Sequence, residues 1–421
     1  RHAPLTAALL VATAANLVVA AGVTAVLLAH DLPLAGSLAS GLAVGALGMI
    51  FAGIAGVAAQ VMATQRAASA VCAAALGLTY LLRGAGDAFG TVEGDGMVLV
   101  SAWPSWLSPM GWGHQVRPFY QDNWDVFGLF ALSGTALVAL AYFLTTRRDV
   151  GEGMLRTRPG PRYAPASLRG SLGIAWRLHR GLLVAWVIGM SVVGTIFGAV
   201  GNNVDDVINM SHQIEQLILR HYEGASLVDL YFSFVVSFLA IAAAAYTVQA
   251  LLRARAEEVA GHVEPVLAAA VGRVRWLLSH VAVAWAGTVV VLVALGLSGS
   301  LAYAAVGGDL AVGLGMLSAA VAQVPAAFAL GGLVVATFAF LPRWALALGW
   351  AMLAASLVMG QAGQLLELPQ WLLNLSPFTH VPEVPATALA LTPELALLAV
   401  AVTATAAGLA WFRRRDLAIG A

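Results

Sequence analysis

Ten apolar stretches, each close to the length that crosses a bilayer, leave this chain few folds to choose from. They occupy residues 4–29, 35–62, 67–86, 127–146, 181–200, 230–251, 276–300, 310–341, 344–361 and 393–412, and a spanning helix needs about 20 residues. Hydrophobic residues make up 60% of the chain and charged residues 10%, where a soluble domain carries about 25% charged. That much apolar surface cannot be hidden in water. The expected fold class is therefore an all-α polytopic membrane protein with ten transmembrane helices.

Charge placement orients those helices. All the basic residues are arginine. With Arg1 in the cytoplasm, Arg66, Arg147, Arg148, Arg156, Arg158, Arg162, Arg169, Arg177, Arg180, Arg253, Arg255, Arg273, Arg275, Arg343, Arg413, Arg414 and Arg415 also fall inside. Arg83, Arg117 and Arg220 fall at or beyond the outer boundary. Topology follows such a bias, so the expectation is a multi-pass protein of the cell membrane with both ends of the chain cytoplasmic.

The second half of the sequence repeats the first in parallel order. Leu107-Ser108-Pro109 recurs as Leu375-Ser376-Pro377, and Arg148-Asp149 recurs as Arg415-Asp416. Phe51-Ala52 and Arg66 align with Phe328-Ala329 and Arg343. One helical module used twice is the mark of a two-half transporter. The first copy shows four spans and the second six, which sets the expectation of twelve spans when intact, with two preceding Arg1. The division reads as a first transmembrane half over 1–146, a cytoplasmic linker with an elbow helix over 147–180, and a second half over 181–421.

The linker is rich in arginine and broken by Pro159, Pro161 and Pro165. Its amphipathic stretch 168–180 is expected to lie among headgroups. A second cytoplasmic segment, 252–275, carries acidic residues. Outside, 201–229 is expected to hold a short polar helix. Two Trp- and Pro-rich loops, 88–126 and 362–392, occupy equivalent places in the halves, and short re-entrant helices are expected there. Their Trp106, Pro109, Trp112 and Pro377 are the candidate outer gate, since indoles suit a half-wet interface.

The missing chemistry narrows the function. A P-loop needs a lysine at the phosphates, and this chain has neither lysine nor that motif. Ion-coupled transporters place titratable groups deep in the membrane, whereas every Asp and Glu here sits in a loop or near a helix end. Arg83 and Asp87 read as a local i,i+4 pair. His280, one turn inside its span, reads as a hydrogen-bonded packing residue, and His179, His212, His221 and His262 read as solvated. The lone Cys72 has no partner, so neither a disulfide nor a metal cluster is expected. No catalytic motif is present, and nothing in the sequence points to nucleic acid.

The run Tyr80-Leu81-Leu82-Arg83-Gly84-Ala85-Gly86-Asp87, followed by Ser105-Trp106-Leu107-Ser108-Pro109-Met110-Gly111-Trp112-Gly113-His114-Gln115-Val116-Arg117-Pro118-Phe119, resembles the permease of ABC exporters of the polyketide-antibiotic, or tetronasin, type. The resemblance covers essentially the whole chain, including the Arg-Asp ends of both halves. It implies the lipid- and drug-pump fold of two six-helix halves, working with two copies of a separate ATP-binding subunit that holds ATP and Mg; no cofactor is expected in this chain. It implies export of hydrophobic or amphiphilic compounds by alternating access. It also implies that Arg255, Glu257, Glu258, Gly261 and Glu264 form a coupling helix docking on the ATPase, with Val259, Val263 and Val266 for packing. The substrate path it implies is lined by Leu76 and Tyr80, by Tyr231, Phe232, Phe234 and Phe238, and by Met352, Leu357 and Met359. Two other classes fit the residues less well: an ion-gradient-driven secondary drug transporter and a non-transporting scaffold.

Overall fold

The computed structural model describes residues 2–88, 90–93, 98–147, 153–155, 162–201, 226–269, 271–361, 363, 366 and 368–417. The polar helix expected within 201–229 falls largely outside them. Among the described residues nine helices are long and apolar enough to cross a membrane, and a shorter apolar helix, Ala345–Gln361, accompanies them. The protein is an all-α polytopic membrane protein. Its chain divides into two compact units, Arg1–Pro161 and Arg162–Ala421.

The first unit contains α1 (Ala3–Ala29), α2 (Leu34–Val61), α3 (Gln65–Ala88), α4 (Pro109–Gln115) and α5 (Val126–Arg147). Two short antiparallel strands, Thr91–Glu93 and Val98–Val100, follow α3; each is too short to carry an alternating apolar pattern. α2 is the central helix, flanked by α1, α3 and α5. Its glycine at position 41 faces the backbone of Ala20 so closely that any Cβ would collide with it. Small residues let helices approach in this way where lipid gives no hydrophobic drive to associate. Ile50, Ala39 and Ala43 from α2 meet Val126 and Phe130 from α5 in the core.

The second unit contains α6 (Ser171–Gly201), α7 (Leu227–Val259), α8 (Val263–Ala268), α9 (Arg273–Ala305), α10 (Leu310–Ala322), α11 (Val324–Phe340), α12 (Ala345–Gln361), α13 (Gln370–Leu373) and α14 (Leu391–Phe412). α7 is its axis: α6, α9, α10, α11 and α12 all pack against it. Where α6 crosses α9, Gly198 abuts Gly299 with no room for a Cβ.

The two units use one neighbour pattern. α1 packs on α2, and α2 on α3 and α5; correspondingly α9 packs on α10, and α11 on α12 and α14. Within that shared pattern the central helices differ. α2 is unbroken over 28 residues, whereas its counterpart stops at Gln323 and restarts as α11. Pro325 sits in the first turn of α11, where its missing N–H costs nothing but prevents one continuous helix.

The expected elbow corrects to something else. After a single 3-10 turn, Ala166–Arg169, residues 171–180 continue without a break into the span as α6. Ser171, Ala175, His179 and Leu183 are all buried. This i,i+4 stripe keeps its phase from the amphipathic stretch into the apolar one, so nothing bends the chain onto the membrane surface.

Candidate functional site

The segment expected to couple to an ATPase is not a separate loop. α7 runs past the end of its apolar stretch to Val259 and carries Arg253, Arg255, Glu257 and Glu258 on its final turns. The helix then stops at Gly261, whose φ of 72° is left-handed. The His262 N–H reaches the Glu257 carbonyl and the Gly261 N–H reaches the Glu258 carbonyl, both at 3.0 Å. This is the paired closure for which glycine is the favoured residue. α8 follows immediately.

The charges expected to face the cytoplasm turn inward. Glu258 is 0% exposed and Glu257 and Arg255 are also buried. One Glu258 oxygen accepts from Arg415 at 2.8 Å; the other accepts from Arg415 at 3.0 Å and from Arg255 at 3.1 Å. Glu257 accepts from Arg253 at 2.8 Å and pairs with His262 at 2.9 Å. The Arg415 guanidinium lies 5.2 Å from the Phe338 ring centre and 5.1 Å from that of Phe412, and its carbonyl accepts from Arg273. A carboxylate so enclosed is held by charge-assisted bonds rather than by water, and the Arg415 guanidinium is held in turn by the two rings. Of the expected coupling residues, Glu264 is exposed and Gly261 half-buried. Val259 is exposed, Val266 half-buried and Val263 part of the core.

A second buried polar pair lies nearby. His179 Nε2 and His280 Nδ1 are 3.0 Å apart, with residue exposures of 1% and 2%. The His280 ring meets Trp276 edge-on, and Trp276 stacks on Phe412. His280 thus has the hydrogen-bonded packing role expected of it. The solvated reading of His179 is wrong, because the α6 stripe carries it into the interface with α9. His262 is exposed but bonded to Glu257; His212 and His221 lie outside the described residues.

The residues assigned to a substrate path separate into two groups. Phe232 is 0% exposed and packs edge-on against Tyr303; the Tyr231 hydroxyl donates to the Phe197 carbonyl at 2.9 Å. Both serve the core, where Met352 also packs. Phe234 is 68% exposed, with Phe238 and Leu357 also uncovered and Met359 half-buried. In the first unit Leu76 and Tyr80 are exposed on α3, one turn apart.

The residues expected in the outer loops form tight local caps. In the first unit Ser108 accepts from the Gly111 N–H and donates to the Thr79 carbonyl, while Pro109 opens α4. Trp112 donates to the Trp106 carbonyl at 2.6 Å and meets Phe130 edge-on; Trp106 remains exposed. Arg83 pairs with Asp87 at 2.8 Å, the local pair expected, and Asp87 also accepts from Ser101. In the second unit Ser376 accepts from the Phe378 N–H ahead of the buried Pro377. The repeated Leu-Ser-Pro is thus a capping device in each half: serine accepts an orphan N–H, and proline starts the turn. Ser233 of α7 ties down residues 383–386 through Glu383 and Ala386.

Repeated modules of spanning helices, with a buried arginine–glutamate cluster at the end of the second, define a polytopic membrane protein. Residues 168–413 match the family described as multidrug efflux system permease Rv1217c, C-terminal domain. The chain is 36% identical over 418 residues to the multidrug efflux system permease protein Rv1217c of Mycobacterium tuberculosis, covering 99% of this chain and 74% of that protein. The chain belongs to this family of multidrug efflux permeases, which makes it a transport component rather than an enzyme.

Proposed function

We propose that the chain is the membrane-spanning subunit of an ATP-driven ABC exporter of the polyketide-antibiotic type, extruding hydrophobic or amphiphilic compounds by alternating access. Family membership supports a drug permease. The observation that carries the ATP-driven reading is the end of α7, where a spanning helix extends beyond the apolar zone and turns at Gly261 into α8.

Glu258 and Arg415 lock that end to the end of α14, so a push on α8 moves two spans together. In this reading a separate ATPase, two copies per permease, binds ATP and Mg. It docks on Val259, Glu264 and the rest of α8, while Arg255, Glu257 and Glu258 transmit the force from inside. Closure of the ATPase pair tilts the helices, and the capped outer segments open as a gate. Phe234, Phe238 and Leu357, with Leu76 and Tyr80, offer adaptable apolar contacts to varied cargo. Both ends of the chain face the cytoplasm of the cell.

Co-reconstitution of the full-length permease with its ATPase in proteoliposomes tests this. ATP-dependent movement of an amphiphilic dye that survives collapse of the proton gradient is the expected result. Movement driven by the gradient without ATP would replace the reading with secondary transport.

A further inference from the structure

At the end of α14 three consecutive arginines have different fates. Arg415 is committed to Glu258, Phe338 and Phe412. Arg413 and Arg414 are exposed, and no described carboxylate pairs with either. Both line a cleft of about 340 Å³ whose other walls are Ala407, Ala410 and Trp411. That volume is at the lower end of the range for ligand sites, about 300–1,000 Å³.

The two alanines leave a shallow apolar groove along the last turns of a spanning helix. Trp411 borders it, its ring held 5.1 Å from Phe340. Two carbonyls at the helix's negative end are already taken up by backbone bonds: the N–H groups of Arg413, Arg414 and Arg415 cover those of Leu409 and Trp411. The nearest acid in sequence, Asp416, is not part of the lining.

We propose that this cleft binds one anionic phospholipid, its phosphate between the Arg413 and Arg414 guanidiniums and the start of an acyl chain along Ala407 and Ala410. Charge complementarity selects the headgroup: paired guanidiniums suit a phosphodiester, and the indole marks the headgroup depth. The apolar groove continuous with the membrane-spanning surface selects a lipid over a soluble phosphate.

Native mass spectrometry of the full-length permease, with phosphatidylglycerol or phosphatidylcholine added, reads this directly. The wild-type protein should retain one tightly held phosphatidylglycerol that phosphatidylcholine does not replace. Arg413→Gln/Arg414→Gln should weaken its retention roughly thirtyfold. Ala410→Phe, which fills the groove and keeps both charges, should also lose it. Arg275→Gln/Arg343→Gln makes the same charge change at other exposed boundary arginines and should leave retention intact. Equal loss in that control would show a general field effect and overturn the site. Displacement by millimolar inorganic phosphate would make it a free-anion site and overturn the lipid assignment, as would undiminished retention in both cleft variants.

Discussion

Arg415 grips Glu258 at both carboxylate oxygens, 2.8 and 3.0 Å away, across 157 residues of sequence. The pair joins the end of the unit's central helix to the end of its last one. Removing Arg415 leaves the buried Glu258 with Arg255 to balance its charge. Arg415→Met should therefore lower stability by about 1–3 kcal/mol. The double variant Glu258→Gln/Arg415→Met should regain part of that loss. Thermal unfolding of detergent-purified protein measures both, and simple additivity of the two single changes would contradict the pairing.

The aromatic residues of α7 should divide by burial. Phe232→Ala empties a fully enclosed site and should cost about 3–5 kcal/mol. Phe234→Ala/Phe238→Ala should leave thermal stability nearly unchanged, because both rings are exposed, and should reduce efflux of some compounds more than others. Uniform loss for every compound would indicate a structural role and remove these residues from the path.

Gly261 makes the turn between α7 and α8. At φ 72° an alanine is strained by about 1–2 kcal/mol, a strain confined to the turn. Gly261→Ala should bind drugs normally yet show weakened drug stimulation of ATP hydrolysis. Unchanged stimulation would show that force does not pass through this turn.

Sidedness can be read by labelling. In a Cys72→Ser background, Tyr163→Cys and Tyr120→Cys place thiols at exposed positions, 87% and 61% accessible. A membrane-impermeant maleimide added to intact cells should label the second and spare the first. The reverse pattern would invert the topology.

Much of the fold was legible because its signals are local. Apolar length marks a span wherever it occurs, and repeated short motifs such as Leu107-Ser108-Pro109 reveal the duplication without any knowledge of packing. The site was legible only in part. Glu258 reads as a solvated loop charge until Arg415 is brought to it by the fold, and His179 until α9 presents His280 from 101 residues away. One clue was present: Arg255 and Glu258, at i,i+3 on the extension of a span, can pair in a helix. The elbow over 168–180 misled because amphipathicity shows that one face is covered, and does not say whether protein or lipid covers it. Phe232 and Phe234 differ only in which side of α7 they occupy, which composition cannot decide.

The claim that an external ATPase drives this permease is tested most directly by isolating the full-length protein from gently solubilised native membranes and assaying what accompanies it. A stoichiometric P-loop subunit, near two copies per permease, should accompany it, with ATP hydrolysis stimulated by transported drug. Recovery of the permease alone, from membranes in which other complexes stay intact, with export surviving ATP depletion, would contradict that claim.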